Sequence, residues 1–413
     1  MKISAKNFGP FESVHLDLDC KDGTPLRLVA IYGANGSGKT QLCKILGFLT
    51  DITTTYRIQG LTCPHHSYKE VTKGVIRKGS NKDLSLSYNF NVNGKKNTYS
   101  IIFDKDGELL FEELHGDYGS SDGFNYFRYD KAVSKNKPNE IGLQPRYCNH
   151  QNVNQILREN IGKHTMLSTL LLYPGLKDYI REDLREVLDI IERMVVPERY
   201  LGGPVGDWCR GTIYTGNIEE LRARENVLSS ILKGTDNTIC EVRYKTSEMM
   251  INCPGSNTLD YYLVISRIVE GILIENTIDD ECDGIKHLVR ILPNIIPATS
   301  WKMAVIDDFD LHLGECLTMA LIDQLSTQIN GQLIVTLKTA ELIRNLDPRC
   351  VFIIDMDENG HRSLMTVKDK VNSGRSNNNA IRFRNGILGG VPTLGSMEFD
   401  VASNNYRRMV KKN

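Results

Sequence analysis

Gly33-Ala34-Asn35-Gly36-Ser37-Gly38-Lys39-Thr40 decides the fold of this chain. The octet follows the apolar run Leu26 to Tyr32 and precedes the helical pattern Leu42-Cys43-Lys44-Ile45-Leu46. It is a complete G-x-x-x-x-G-K-[ST] loop in the setting the motif requires, strand before and helix after. Its glycines let the backbone turn tightly, so that successive N–H groups face phosphate oxygens, and the helix N-terminus adds its positive dipole end. Gly33 to Thr40, with the adjoining Gln41, are therefore candidate nucleotide-binding residues. Lys39 is placed to reach the β- and γ-phosphates of a nucleoside triphosphate, and the Thr40 hydroxyl to ligate Mg²⁺.

Outward from the loop, residues 1–32 read as β-structure. Lys2-Ile3-Ser4-Ala5 starts a strand, Asn7-Phe8-Gly9-Pro10 breaks it, and Val14 to Leu18 alternates. Leu26 to Tyr32 is nearly all apolar, as in a strand buried on both faces. Leu84 to Val92, Asn93-Gly94, and Thr98 to Phe103 predict a hairpin, with a further turn at Asp106-Gly107 before Glu108 to Leu114. An antiparallel sheet beside the loop core follows. From about 152 to 232 the pattern is helical, with Leu176 to Val196 and Asn217 to Leu232 amphipathic. The fold class is thus α/β, a mixed central sheet with an antiparallel β-lobe and a helical lobe. Residues 368–380 are polar and expected to be mobile, and the basic end Tyr406 to Asn413 reads as a solvated tail.

At 413 residues the chain allows two or three domains, or one with a large insertion. A formal net charge of −1 excludes a global basic field for nucleic acid. Residues 1–20 lack the continuous apolar core of a leader, and no apolar run is long enough to span a bilayer. A cytoplasmic location without membrane contact is expected, with ten cysteines as reduced thiols. Cys63-Pro64-His65-His66 and Cys148-Asn149-His150 carry metal-binding side chains, but their spacing fits no standard zinc pattern.

A phosphate loop needs a partner that holds Mg²⁺ and orients water. Met303-Ala304-Val305-Ile306 is a short apolar strand ending in Asp307-Asp308, a Walker B pattern. Asp307 is the expected metal partner and Asp308 the carboxylate that polarises the attacking water. Gln332 to Thr336 is a further buried strand, after a helix over Leu317 to Leu325. Lys338, just beyond it, either pairs with the γ-phosphate as a point charge or is a surface lysine.

These residues resemble the ABC-type head ATPases related to RecF, SMC and OLD proteins, through Asn7-Phe8-Gly9-Pro10 and the Asn-Gly-Ser-Gly core of the loop. Tyr99 to Phe103, Phe111 to Leu114 and Ile231 to Ile239 resemble the β-lobe of their stand-alone AAA subgroup. Glu281-Cys282-Asp283-Gly284-Ile285-Lys286-His287-Leu288 resembles the ABC signature, Asp307 to Leu313 the Walker B and D-loop, and Asn385 to Pro392 a C-terminal Gly-Pro motif. The resemblance implies an ABC-type core split between 1–150, with the loop and β-lobe, and 281–370, with signature, Walker B and switch. The stretch 151–280 would be a helical lobe or insertion, and 371–413 a C-terminal extension. It implies ATP and Mg²⁺ as cofactors. Head-to-tail dimers, or higher homo-oligomers, would form through the ATP sites, Cys282, Gly284 and Lys286 of one copy closing on the nucleotide of the other. A Q-loop glutamine is either Gln144 or Gln151. Three family positions depart: the signature Ser is Cys282, the Walker B Glu is Asp308, and the switch His is Lys338.

Those departures point away from fast turnover. The expected catalytic residues are Asp308, Lys39 and Lys338, in a slow ATPase. The resemblance implies a nucleotide-gated sensor or scaffold of phage-defence type, working with a separate effector nuclease or toxin encoded nearby. The alternative is a RecF- or SMC-like ATPase that binds duplex DNA in repair or maintenance. A third reading is a nucleotide-binding scaffold that never hydrolyses.

Overall fold

The N-terminal segment folds as a hairpin of β1 (Lys2–Phe8) and β2 (Phe11–Asp17). Asn7 and Gly9 take left-handed φ values of 59° and 51° at its turn. The left-handed φ favours glycine at position 9, where an added Cβ would also press on the Gln41 side chain, 2.8 Å from Oε1. Strand β3 (Leu28–Gly33) then leads through the glycine loop into α1 (Lys39–Thr54). The computed structural model describes residues 1–54, 68–117, 124–134, 141–148, 150–172, 174–194, 208–248, 258–371, 379–391 and 398–410.

After the short α2 (Tyr68–Lys73) come β4 (Leu84–Val92), β5 (Lys95–Phe103), β6 (Leu109–Asp117), β7 (Phe124–Asp130), a single turn α3 (Lys131–Ser134) and β8 (Gly142–Leu143). With the first hairpin they form a seven-stranded antiparallel sheet, order β2-β1-β4-β5-β6-β7-β8. Asn93 and Gly94 join β4 to β5 with φ values of 51° and 77°, the left-handed pair whose twist suits a two-residue hairpin.

The next stretch holds α4 (Gln151–Asn160), α5 (Met166–Leu172), α6 (Glu182–Met194), β9 (Arg210–Tyr214), α7 (Ile218–Thr235), β10 (Ile239–Glu248), β11 (Thr258–Val269) and β12 (Ile272–Thr277). The expectation of a helical 151–280 is therefore corrected. Its second half is a four-stranded antiparallel sheet, with β10, β12 and β9 all paired to β11. β12 is exposed at nearly every position, so its sequence carries no alternation to betray a strand.

The chain ends with α8 (Asp283–Ser300), β13 (Met303–Ile306), α9 (Glu315–Gln328), β14 (Gln332–Thr336), β15 (Val351–Met356), β16 (Arg362–Thr366), α10 (Val367–Lys370), α11 (Asn379–Arg384) and α12 (Phe399–Val410). Of the basic end, Tyr406 to Val410 close α12, with Tyr406 and Met409 exposed, and residues 411–413 lie outside the described residues. Of the stretch expected to be mobile, Lys368 to Lys370 lie in α10, whose N-terminus Thr366 and Asp369 close with a capping box. Residues 372–378 lie outside the described residues.

Five strands form the central sheet, order β13-β14-β3-β15-β16, all parallel except the antiparallel edge β16. Strands β13, β14, β3 and β15 each alternate between two cores. Val29, Ile31, Val305, Ile334 and Ile354 join the core beneath the seven-stranded sheet and α1. Leu28, Ala30, Tyr32, Ala304, Val335 and Ile353 join the core with α8, α9 and the four-stranded sheet. Burial on both faces explains the unbroken apolar runs. Among the described residues, no helix is long and apolar enough to cross a membrane.

Candidate functional site

The glycine loop opens at the carboxyl end of β3, where ligand crevices of parallel sheets lie. Gly36 and Gly38 hold φ values of 78° and 111°. Beneath Gly38 an added Cβ would stand 3.0 Å from the Phe11 ring, so the first hairpin supports the loop from behind. Lys39, only 9% exposed, folds over the loop. Its Nζ donates to the carbonyls of Gly33 at 2.6 Å and Ala34 at 3.2 Å. Burial pushes its amine below the ordinary lysine range against the pull of Asp308, and the like charge of Lys338 adds to the depression.

Strands β13 and β14 bring the acids to this loop. Thr40 Oγ1 donates to Asp307 Oδ2 at 2.6 Å, across 267 residues of sequence. Thr336 Oγ1, at the tip of β14, donates to Asp307 Oδ1 at 2.6 Å and accepts from the Asp308 N–H at 2.7 Å. One hydroxyl therefore fixes both acids, through bonds each worth about 1 kcal/mol net or somewhat more to the charged group. Asp308 sits at φ 49°, unusual for a residue with a side chain. Lys338 Nζ lies 3.1 Å from Asp308 Oδ1. Asp310 Oδ2 accepts from the N–H groups of Lys338 at 2.8 Å and Thr339 at 2.7 Å, which ties the segment after β14 to the acidic loop.

Together these residues wall a cleft of about 650 Å³. Asn35, Gly36, Gly38, Lys39, Thr40, Gln41, Asp308 and Lys338 of the expected set line it. Arg77, Lys78 and Arg362 line it too, and sequence reasoning missed all three. No motif marks them, because each reaches the loop from a segment remote in sequence. Of the Q-loop candidates, Gln144 is exposed at the start of a 3₁₀ turn and is not on this wall, and Gln151 begins α4.

The signature residues are elsewhere. Cys282 and Gly284 border a second cavity of about 810 Å³, with Lys233 to Asn237 and His312, and among the described residues the two cavities share no lining residue. Lys286, expected beside them, is not on that wall. Arg267 on β11 braces the rim. It holds Glu281 with Nε at 3.0 Å and Nη2 at 2.8 Å, and also bonds Asp236 and Thr238.

The cleft suits a Mg²⁺-bound triphosphate by its donor chemistry. A hydroxyl and a carboxylate, Thr40 and Asp307, meet beside glycine-cradled amides, and oxygen donors are what that cation takes. Ser37 Oγ is buried and has no hydrogen-bond partner among the described residues. Among the described residues no three His, Cys, Asp or Glu side chains cluster as metal ligands; Cys63, His65 and His66 lie outside those residues.

A family model described as an AAA domain matches residues 2–233. Among solved structures, the Smc head bound to the C-winged helix domain of ScpA is 15% identical, with a TM-score of 0.45 over 88% of this chain and 96% of that one. The SMC head domain from Thermotoga maritima is 14% identical, with a TM-score of 0.37 over 88% and 97%. No curated protein matches.

Proposed function

Because this chain belongs to the AAA domain family, we propose that it binds Mg·ATP in the β3–α1 cleft and hydrolyses it slowly, as an ABC-type ATPase. The bond from Thr40 to Asp307 carries this reading, since it joins the phosphate-loop hydroxyl to the Walker B acid. Thr40 and Asp307 would hold the cation, and Gly33 to Gln41 with Lys39 the phosphates. The bound Mg²⁺ would neutralise charge on the phosphate oxygens. Asp308 would orient water, but its carboxylate is already paired with Lys338, which supports slow turnover. Lys338 would leave Asp308 for the terminal phosphate as a compact cation.

The second cavity would be the other half of the site, closing on the nucleotide of a second copy through Cys282 and Gly284. Nucleotide would then set the state of a homodimer or higher homo-oligomer. The resemblance of the β-lobe and signature segments to the stand-alone AAA subgroup supports a sensor in anti-phage defence, holding an effector encoded nearby.

Steady-state hydrolysis and equilibrium nucleotide binding test the reading on wild type, Lys39→Ala and Asp308→Asn. Lys39→Ala should weaken ATP binding at least about 100-fold through loss of a charge-assisted contact. Asp308→Asn should slow hydrolysis by about 100-fold or more and accumulate an ATP-bound dimer. Equal background rates in all three proteins would remove the enzyme. Co-purification of a small effector released by ATP supports the sensor, whereas salt-sensitive binding to plain duplex DNA supports a maintenance ATPase instead.

A further inference from the structure

Arg362 begins β16, the edge strand beyond β15, yet its side chain ends on the phosphate loop. Nε donates to Ser37 O at 2.9 Å, Nη2 to Gly36 O at 3.3 Å, and Nη1 to Gly360 O at 2.9 Å in its own hairpin turn. Every nitrogen of the guanidinium is thus used on a carbonyl. Among the described residues it makes no ion pair with a carboxylate, so its charge is not cancelled by a bonded acid. The turn that carries it is itself ordered, with Asp357 Oδ1 accepting from His361 N at 2.8 Å and Asn359 N at 3.0 Å.

The two carbonyls belong to consecutive peptide groups, flanked by Gly36 at φ 78° and Gly38 at φ 111°. Glycine peptides have the widest choice of orientation, so this part of the loop has the most to lose in being ordered. A planar trans peptide turns its N–H opposite to its C=O. Holding Gly36 O and Ser37 O therefore also sets the directions of the Ser37 and Gly38 N–H groups. Ser37 N–H is turned to Ala34 O at 3.1 Å within the loop. A charge-assisted bond on a carbonyl also polarises the N–H at the far end of the same peptide.

We propose that Arg362 is a positioning residue of the phosphate loop: its planar fork presets two peptide planes so that the loop meets the triphosphate in its binding shape. The inference rests on reading the cleft as an ATP site. A lysine cannot replace it, since an ammonium on a flexible stem lacks the fork that spans two neighbouring carbonyls and Gly360 O together.

The test compares wild type, Arg362→Ala and Arg362→Lys by ATP and ADP affinity, KM, kcat and melting temperature. Both variants should bind ATP and ADP about ten-fold more weakly, with the loss in KM and kcat lowered less than about three-fold, as for an interaction common to ground and transition states. Arg362→Lys retaining wild-type affinity would overturn the proposal, because charge alone would then suffice. Unchanged affinity in Arg362→Ala would also overturn it. Should that variant fail to fold, Arg362→Lys decides alone. If wild type itself binds no ATP, the reading of the cleft fails instead.

Discussion

The two cavities differ in what their walls are made of. The β3–α1 cleft is closed by segments from opposite ends of the chain that bond one another across a parallel sheet: Thr40 to Asp307, Thr336 to Asp307, and Asp308 to Thr336. Lys39, Arg77, Lys78, Lys338 and Arg362 all reach it, against Asp308. The cavity at Cys282 lies between the end of α7 and the start of α8, with His312 and Leu317 beside them, and its charges are mixed: Lys233 with Asp236 and Asp283. The Cys282 side chain makes no capping bond at the start of α8. The first wall is thus rich in cations, and the second carries both signs. The loop after β13 reaches both, Asp308 on the first rim and His312 on the second, each at positive φ.

Breaking the second cavity should leave the first intact. Gly284 has the carbonyl of His312 within 3.1 Å of where a Cβ would stand. Gly284→Asp adds that bulk and a carboxylate. We expect ATP affinity within about two-fold of wild type, while hydrolysis and ATP-dependent association fall by about 100-fold or more, as when one charge group is set against another in a dry site. A parallel loss of ATP affinity, measured by titration, would merge the two cavities into one functional unit.

The bracing of the second cavity gives the next largest effect. Arg267→Met leaves Glu281, 5% exposed, without its bidentate partner. An uncompensated buried carboxylate costs about 3 kcal/mol or more. Denaturant unfolding should report that loss, and a change below about 0.5 kcal/mol would show that water reaches Glu281.

The support of the first cavity should instead respond to pH. Glu112 on β6 is fully buried and accepts from Tyr99 OH at 3.0 Å, Met166 N at 2.7 Å and Leu167 N at 2.9 Å. Burial pushes its carboxyl up to about 7, although those three donors pull the other way. Its folded value lies above its unfolded one, so the neutral form is favoured in the fold. Its contribution is complete below the unfolded value and is lost as pH rises through about 7, to the extent of about 3 kcal/mol at most. Because α5, which Glu112 anchors, packs on α1, melting should fall between pH 5 and 8 in wild type and much less in Glu112→Gln. Parallel curves would assign the pH dependence elsewhere.

The central strands and the hairpins were legible because burial leaves a period: two-faced burial gives Leu26 to Tyr32, and left-handed φ demands Asn93-Gly94. The loop residues Lys39 and Thr40 and the acids Asp307 and Asp308 were legible as local motifs at strand ends. Arg362 was not, since its place against the loop depends on β16 lying two strands from β3. Nor was β12, whose exposed Ile272, Leu273 and Ile274 give neither a buried face nor a period. The buttress between Arg267 and Glu281 escaped for a similar reason, as charge pairs carry no sequence spacing when a sheet joins them.

The position of β3 has a consequence for the chain's synthesis. Its neighbours in the central sheet are β14 and β15, and the bond from Tyr32 OH to Thr339 O spans 307 residues. At about 5–20 residues per second, the ribosome exposes Leu28 to Tyr32 for roughly 15–60 s before either neighbour exists. The seven-stranded sheet can close well before then, as its last described strand ends at Leu143. A nascent or truncated chain ending before Gln332 therefore carries a paired seven-stranded sheet beside one orphaned apolar strand, a surface that a chaperone would have to cover.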